Sequence, residues 1–214
     1  MSDPLFWYRI ERDPYCFVYA EIPKVACTSI KTALAQYLGW PVPAANPLRV
    51  HHLPWHRIPA AEIATQGVYA FAFVRHPLDR LASFWARLHG QPPWPWNRDI
   101  PRDISFRDFV RYACRPLQNP RAADHHWRPQ WTFLYDENGH RLPIEWFRFE
   151  RLEHDWAFLQ RRFDLPPLMH LNQSAHDHWM TLYDEQTATL AFDYYARDFD
   201  LLQYPRQFPI PLSI

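Results

Sequence analysis

Lys24, Thr28 and Ser29 stand in the stretch "FVYAEIPKVACTSIKTAL" (Phe17 to Leu34), where an apolar run gives way to a short loop and then to a helical pattern. Strand, tight loop and helix in that order is how a chain holds an anion. The first N–H groups of a helix lack partners within it, and the aligned peptide dipoles leave partial positive charge there. Thr28 and Ser29 add hydroxyl donors, and Lys24 adds a mobile point charge. The glycines of the triphosphate loop G-x-x-x-x-G-K-[ST] are missing, so a nucleoside triphosphatase is not indicated. On this segment alone, an exposed Lys24 and a hydroxyl that merely caps a helix explain the pattern equally well.

A second stretch, "AFAFVRHPLDRLASFWARL", brings Arg75 to the end of a continuous apolar run, with Ser83 eight residues later on the predicted helix. Open α/β sheets bind ligands at the carboxyl ends of parallel strands. A guanidinium there can grip a second phosphate bidentately. The plainer alternative is an ion pair between Arg75 and Asp79 or another nearby acid. Cys27 opens the first helix, where a thiol can become acidic. It lacks the arginine five residues later that a Cys-based phosphatase loop needs, so a small buried thiol is the simpler reading. The "HDH" of His176 to His178 comes without H-E-x-x-H or Cys–His spacing, and no metal is expected.

The elements that must position these groups follow from periodicity. Strands are predicted at Phe17–Ile22, around Val50, at Tyr69–Val74 and at Glu145–Phe149. Ile30, Leu34, Tyr37 and Leu38 share one helical face that Gly39 ends; Leu78, Leu81, Trp85 and Leu88 form another before Gly90. Further helices are expected around Ser105–Cys114, His154–Phe163 and Glu185–Leu202. Strands alternating with helices predict an α/β fold: a P-loop-like, mostly parallel sheet flanked by helices on both faces, with long loops and a helical C-terminal part. At 214 residues the chain is expected to be one domain.

The 22 prolines imply long ordered connections, among them "GQPPWPWNRDIPRDI" and "RPLQNPRAADHHWRPQW". Lys plus Arg equal Asp plus Glu at 23 each, so no net field favours nucleic acid or an anionic membrane, and any anion site must be built locally. Three cysteines without close pairs disfavour a disulfide framework. "MSDPLFWYRIERD" is not a signal peptide, and "VYAFAFV" is too short to span a bilayer. The expectation is a soluble, cytoplasmic protein.

"PKVACTSIK" followed by "VRHPLDRLASFW" resembles the two cofactor motifs of sulfotransferases that use 3′-phosphoadenosine 5′-phosphosulfate (PAPS), in particular the carbohydrate branch and its soluble bacterial relatives. "DHHWRPQ", "FERLEHDWAFLQRRFDLP" and "LNQSAHDHW" are similar to that family as well, so the resemblance runs from about Val18 to Tyr204. It implies PAPS as donor and 3′,5′-adenosine bisphosphate as product. Lys24, Ala26, Cys27, Thr28 and Ser29 would hold the 5′-phosphosulfate, and Arg75 and Ser83 the 3′-phosphate. Asn172 or Ser174 could close over the nucleotide. Unlike the Golgi members, this protein is expected to lack a transmembrane anchor and a cysteine framework.

Sulfuryl transfer needs an acceptor held in line, a base for its proton and stabilisation of the leaving phosphate. Lys24 is the expected leaving-group stabiliser. The resemblance to heparan-type sulfotransferases puts the base histidine after the second strand, in "LRVHHLPWH": His52 first, His51 next, with only one of the pair facing the cleft. His126 is the rival, and with Trp127 and Trp94 it is a candidate for binding the acceptor, a hydroxyl-bearing carbohydrate, glycolipid or small metabolite. Two other classes remain open. A non-catalytic nucleotide-binding module would bind without turnover. A nucleotide kinase would need magnesium and a strand-end carboxylate where "AFAFVRHP" offers arginine.

Overall fold

The structure is a computed structural model that describes residues 6–43, 46–65, 67–89, 100–101, 103–117, 119–169, 171 and 179–206. Its contacts gather into two compact units, Met1–Arg75 with Phe133–Gln173, and His76–Thr132 with Ser174–Ile214.

The first unit holds a four-stranded sheet of β1 (Trp7–Arg12), β2 (Tyr15–Ala20), β3 (Tyr69–Val74) and β4 (Ile144–Arg148), in that spatial order. β1 and β2 form an antiparallel pair across a two-residue turn, while β2–β3 and β3–β4 are parallel. The sheet is therefore mostly parallel, as the alternating pattern predicts. β1 was not among the predicted strands, although Tyr8 and Ile10 point inward and Arg9 and Glu11 outward in the two-residue period of a half-buried strand.

Phe17 and Tyr19 of β2 lie opposite Tyr69 and Phe71 of β3, so aromatic rings line one face. Two helices of this unit, α1 (Cys27–Tyr37) and, farther along the chain, Leu152–Phe163, meet that face. Phe163 packs its ring 4.5 Å from Phe17 and 5.3 Å from Tyr69, and Tyr37 lies 6.1 Å from Phe17. Val18, Ala20, Ala70, Ala72 and Val74, on the opposite face, are buried too. β3 is thus a central strand covered on both sides, which is why it reads as a continuous apolar run.

The predicted strand around Val50 is instead a 3-10 turn, Pro47–His52. Pro47 opens it, with φ preset for a helical turn and no N–H to give a ladder. The Val50 carbonyl that a neighbouring strand would use accepts from Trp55 Nε1 at 2.7 Å. A short helix, α2 (Ala60–Thr65), leads on to β3.

In the second unit, α3 (Pro77–His89) and α4 (Phe106–Ala113) follow their predicted spans, Ser105 capping α4 through the Asp108 N–H. α5 (Trp131–Leu134) is a single turn at the boundary of the two units, and Leu152–Phe163 is α6. The single helix expected over Glu185–Leu202 is two, α7 (Glu185–Tyr194) and α8 (Ala196–Leu202). They break at Tyr195, which leaves helical geometry at φ −96° and ψ 16° while its hydroxyl donates to the Trp127 carbonyl. Asp184 and Thr187 form a reciprocal capping box at the start of α7. Among the described residues, no helix is long and apolar enough to cross a membrane.

Phe163 joins α6 to both central strands and is 6% exposed. Phe163→Ala is expected to lower stability by about 3–5 kcal/mol through lost burial and a residual cavity, read as a fall in the urea midpoint.

Candidate functional site

β2 runs out at Ala20; Glu21, Ile22 and Pro23 are buried, and the chain then turns sharply into α1. The turn uses two left-handed residues, Lys24 at φ 70° and Ala26 at φ 52°. A triphosphate loop would place glycine at such positions. Here residues with a Cβ adopt the same region, at about 1–2 kcal/mol each. Ala26 offers no side-chain cap and leads directly into α1, whose first N–H groups have no partner within the helix. The loop makes this bend without glycines. Desolvation pushes the Cys27 thiol up to about 11, so it is no acidic nucleophile.

Helix α1 is buried almost all round, polar Thr28, Ser29, Lys31 and Thr32 included. Buried polar groups need partners; Lys31 and Thr28 find theirs in one network, whereas Thr32 Oγ1 has none among the described residues. Lys31 Nζ lies 2.5 Å from Glu21 Oε2 and donates to the Tyr8 hydroxyl at 3.0 Å, while that hydroxyl donates to Glu21 Oε2 at 2.7 Å. His51 stands on its edge, with Nδ1 3.5 Å from Lys31 Nζ and 3.6 Å from Glu21 Oε1. Its other nitrogen, Nε2, is 3.0 Å from Thr28 Oγ1. Burial alone would raise the Glu21 carboxyl; Lys31, His51 and the hydrogen bonds outweigh it and hold Glu21 below its ordinary value. Burial and the Glu21 charge push the Tyr8 phenol far up, so it remains a donor.

Arg75, at the end of β3, donates from Nη1 to the Lys24 carbonyl at 3.1 Å and lays its guanidinium 4.3 Å over the Phe149 ring. Arg75 is therefore tied to the same loop that carries Lys24. Ser29 Oγ accepts from Leu171 N at 3.2 Å. His52, by contrast, is exposed, and the 3-10 turn directs only His51 toward Thr28. Asn172, Ser174, Trp94 and His176 to His178 lie outside the described residues.

In the second unit, Ser83 is buried in α3. His126 Nδ1 lies 2.7 Å from Asp124 Oδ1, and its ring stacks on Phe84. Burial alone would raise Asp124; the hydrogen bond and charge of His126, with His125, hold it low. The buried Arg80 donates to the carbonyls of Arg128 and His125, and Asp198 accepts the Gln130 and Trp131 N–H groups, so this loop is fixed from α3 and α8. Trp127 is buried. Asp124, His125 and His126 each offer a ligand atom within 4.8 Å of the others, a spacing compatible with a cation.

The model of the sulfotransferase family matches residues 9–205, almost the whole chain. The chain belongs to the sulfotransferase family. Among curated relatives, human carbohydrate sulfotransferase 14 is 26% identical over 195 residues, covering 78% of this chain and 49% of the relative. Carbohydrate sulfotransferase 14 of Danio rerio is 24% identical over 192 residues, covering 76% of this chain and 50% of the relative. The Mus musculus protein of the same name is 26% identical over 199 residues, covering 78% and 49%. The chain spans about half the length of the curated relatives it matches. No solved structure gives a significant match.

In this sulfotransferase-family chain, sequence reasoning passed over Glu21, Lys31 and Tyr8. The available signal was an acid just past an apolar strand, Glu21, and a lysine among the apolar positions of α1, Lys31. Ala26 also yields a test of the loop. Ala26→Gly removes a left-handed penalty of about 1–2 kcal/mol but adds about 0.4–1 kcal/mol of unfolded-chain entropy. The expected result is unchanged or slightly raised stability by chemical denaturation, with Ala26→Val, β-branched in the same region, clearly less stable.

Proposed function

We propose that this chain transfers a sulfuryl group from 3′-phosphoadenosine 5′-phosphosulfate to a hydroxyl of a carbohydrate, with His51 as the base. The observation that carries the reading is Thr28 Oγ1 at 3.0 Å from His51 Nε2, at the mouth of a glycine-free anion loop to which Arg75 is also tied. The donor set fits a phosphosulfate. The N–H groups opening α1, the Thr28 and Ser29 hydroxyls and the Lys24 ammonium suit its 5′ end, and the Arg75 guanidinium suits the 3′-phosphate.

In the transfer, His51 Nε2 takes the acceptor hydroxyl proton as the acceptor oxygen bonds to sulfur. The bond from sulfur to the bridging phosphate oxygen breaks, and Lys24 stabilises the charge left on that oxygen. The carbohydrate acceptor rests on family membership and on the relatives named carbohydrate sulfotransferase 14. Between the two histidines, the geometry favours His51 over His52, which is exposed.

Calorimetry with 3′,5′-adenosine bisphosphate, AMP and ATP, with and without magnesium, tests the donor site. Magnesium-independent binding that requires the 3′-phosphate is expected. Arg75→Ala should weaken it by about 10- to 100-fold, the worth of a charge-assisted phosphate contact. A preference for ATP with magnesium would overturn the reading in favour of a kinase. In turnover assays against a panel of sugars, His51→Ala is expected to lower kcat by about 10²- to 10⁴-fold, with His52→Ala close to wild type.

A further inference from the structure

Resting on the reading that Arg75 grips the 3′-phosphate, we infer that Phe149 is a positioning residue that orients the Arg75 guanidinium for it. Phe149 thereby sets how strongly the site prefers a 3′-phosphorylated nucleotide. The sheet register brings the two residues together. β3 and β4 run parallel, with Val74 opposite Arg148. Arg75 and Phe149 are the next residue on each strand. They leave the sheet side by side at its carboxyl edge, where open α/β sheets bind ligands. Phe149 opens the 3-10 turn Phe149–Arg151 in which β4 ends.

The guanidinium carbon of Arg75 lies 4.3 Å from the centroid of the Phe149 ring, and both residues are half-buried. Stacking holds the cation by its face. Hydrogen bonds to a phosphate use the N–H groups in the plane, so ring and anion do not compete for the same donors. A carboxylate in the place of the ring would take those donors and cancel the charge. The second constraint is the bond from Arg75 Nη1 to the Lys24 carbonyl at 3.1 Å. That bond alone would let the guanidinium plane turn about the N–H···O line, and stacking alone would let it spin within its plane. Together they leave one orientation.

An arginine side chain in water spreads over many rotamers, and a ligand that binds it must order them. With Phe149 in place, much of that ordering is done on folding. The consequence separates positioning from plain packing. The 5′ end of the nucleotide is assigned to the Lys24 loop and α1, so a general loosening of the unit would weaken every 5′-nucleotide alike. Acting through Arg75, Phe149 matters only to the nucleotide that carries the 3′-phosphate.

The test is calorimetry of 3′,5′-adenosine bisphosphate and of AMP on the full chain, read as the factor by which the bisphosphate binds more tightly. Phe149→Leu removes the ring and keeps an apolar side chain, with folding checked by its melting curve. The preference is expected to fall by about 3- to 10-fold, with AMP affinity within about twofold of wild type. Phe149→Tyr, which keeps the ring face, should retain the wild-type preference. In an Arg75→Ala background, Phe149→Leu should lower the preference no further, because its effect passes through the guanidinium. NMR of the unliganded wild type needs no variant: the Arg75 guanidinium signals should carry the upfield ring-current shift of a stacked group. No such shift, or an equal loss of affinity for both nucleotides in Phe149→Leu, would overturn the inference. If the wild type binds AMP and the bisphosphate equally, the reading of Arg75 falls and the inference with it. A wild-type preference that Phe149→Leu leaves intact sinks the inference alone.

Discussion

The Glu21–Lys31 ion pair is the constraint around which the first unit is arranged. It fastens the segment after β2 to the second turn of α1, and through Tyr8 it engages β1. Both charges are out of water, so each is tolerable only while the other stays within hydrogen-bond reach; loss of one partner of such a pair costs about 3–5 kcal/mol. The distance between strand end and helix is thereby set, and with it the span of the Pro23–Ala26 loop. The two left-handed residues are what a loop of that length needs to reverse direction, strain included.

The loop, Arg75 and the central strand were legible because their signals are local. A continuous apolar run followed by Pro23-Lys24 and hydroxyls reads as strand, turn and helix start whatever the rest of the chain does. Arg75 reads as a strand-end group because Tyr69–Val74 can only be a strand buried on both faces. The features that escaped are set by distant partners. Val50 has strand character, but Pro47 and the Trp55 side chain draw it into a 3-10 turn. The helix over Glu185–Leu202 has an unbroken period, and the bond from the Tyr195 hydroxyl to the Trp127 carbonyl at the break joins partners far apart in sequence.

Lys31 shows the limit most sharply. In sequence it is a lysine in the first turns of a helix, the most ordinary of solvent-facing residues. Its burial follows from Tyr8 and Trp55, one on a strand that was not anticipated and the other beyond a turn mistaken for a strand. The same turn separates the two histidines, leaving His52 exposed and His51 beside Thr28. Alternation along an extended segment is the ground for expecting one of the two adjacent histidines to face inward, but the segment is a 3-10 turn. Which one depends on the turn geometry and on a buried charge pair that sequence spacing does not reveal.

The enclosure of α1 has a dynamic consequence. Helix ends ordinarily fray and lose amide protection first. Nine of the eleven residues of α1 are buried, beginning at Thr28, and opening its first turns requires the ion pair to part. Its hydrogen-bonded amides, from Ile30 onward, therefore belong with the slowly exchanging set, close though they are to the helix start. Under the proposed reading, a phosphosulfate would therefore meet a helix start whose direction is already fixed, with little ordering entropy to oppose its capture.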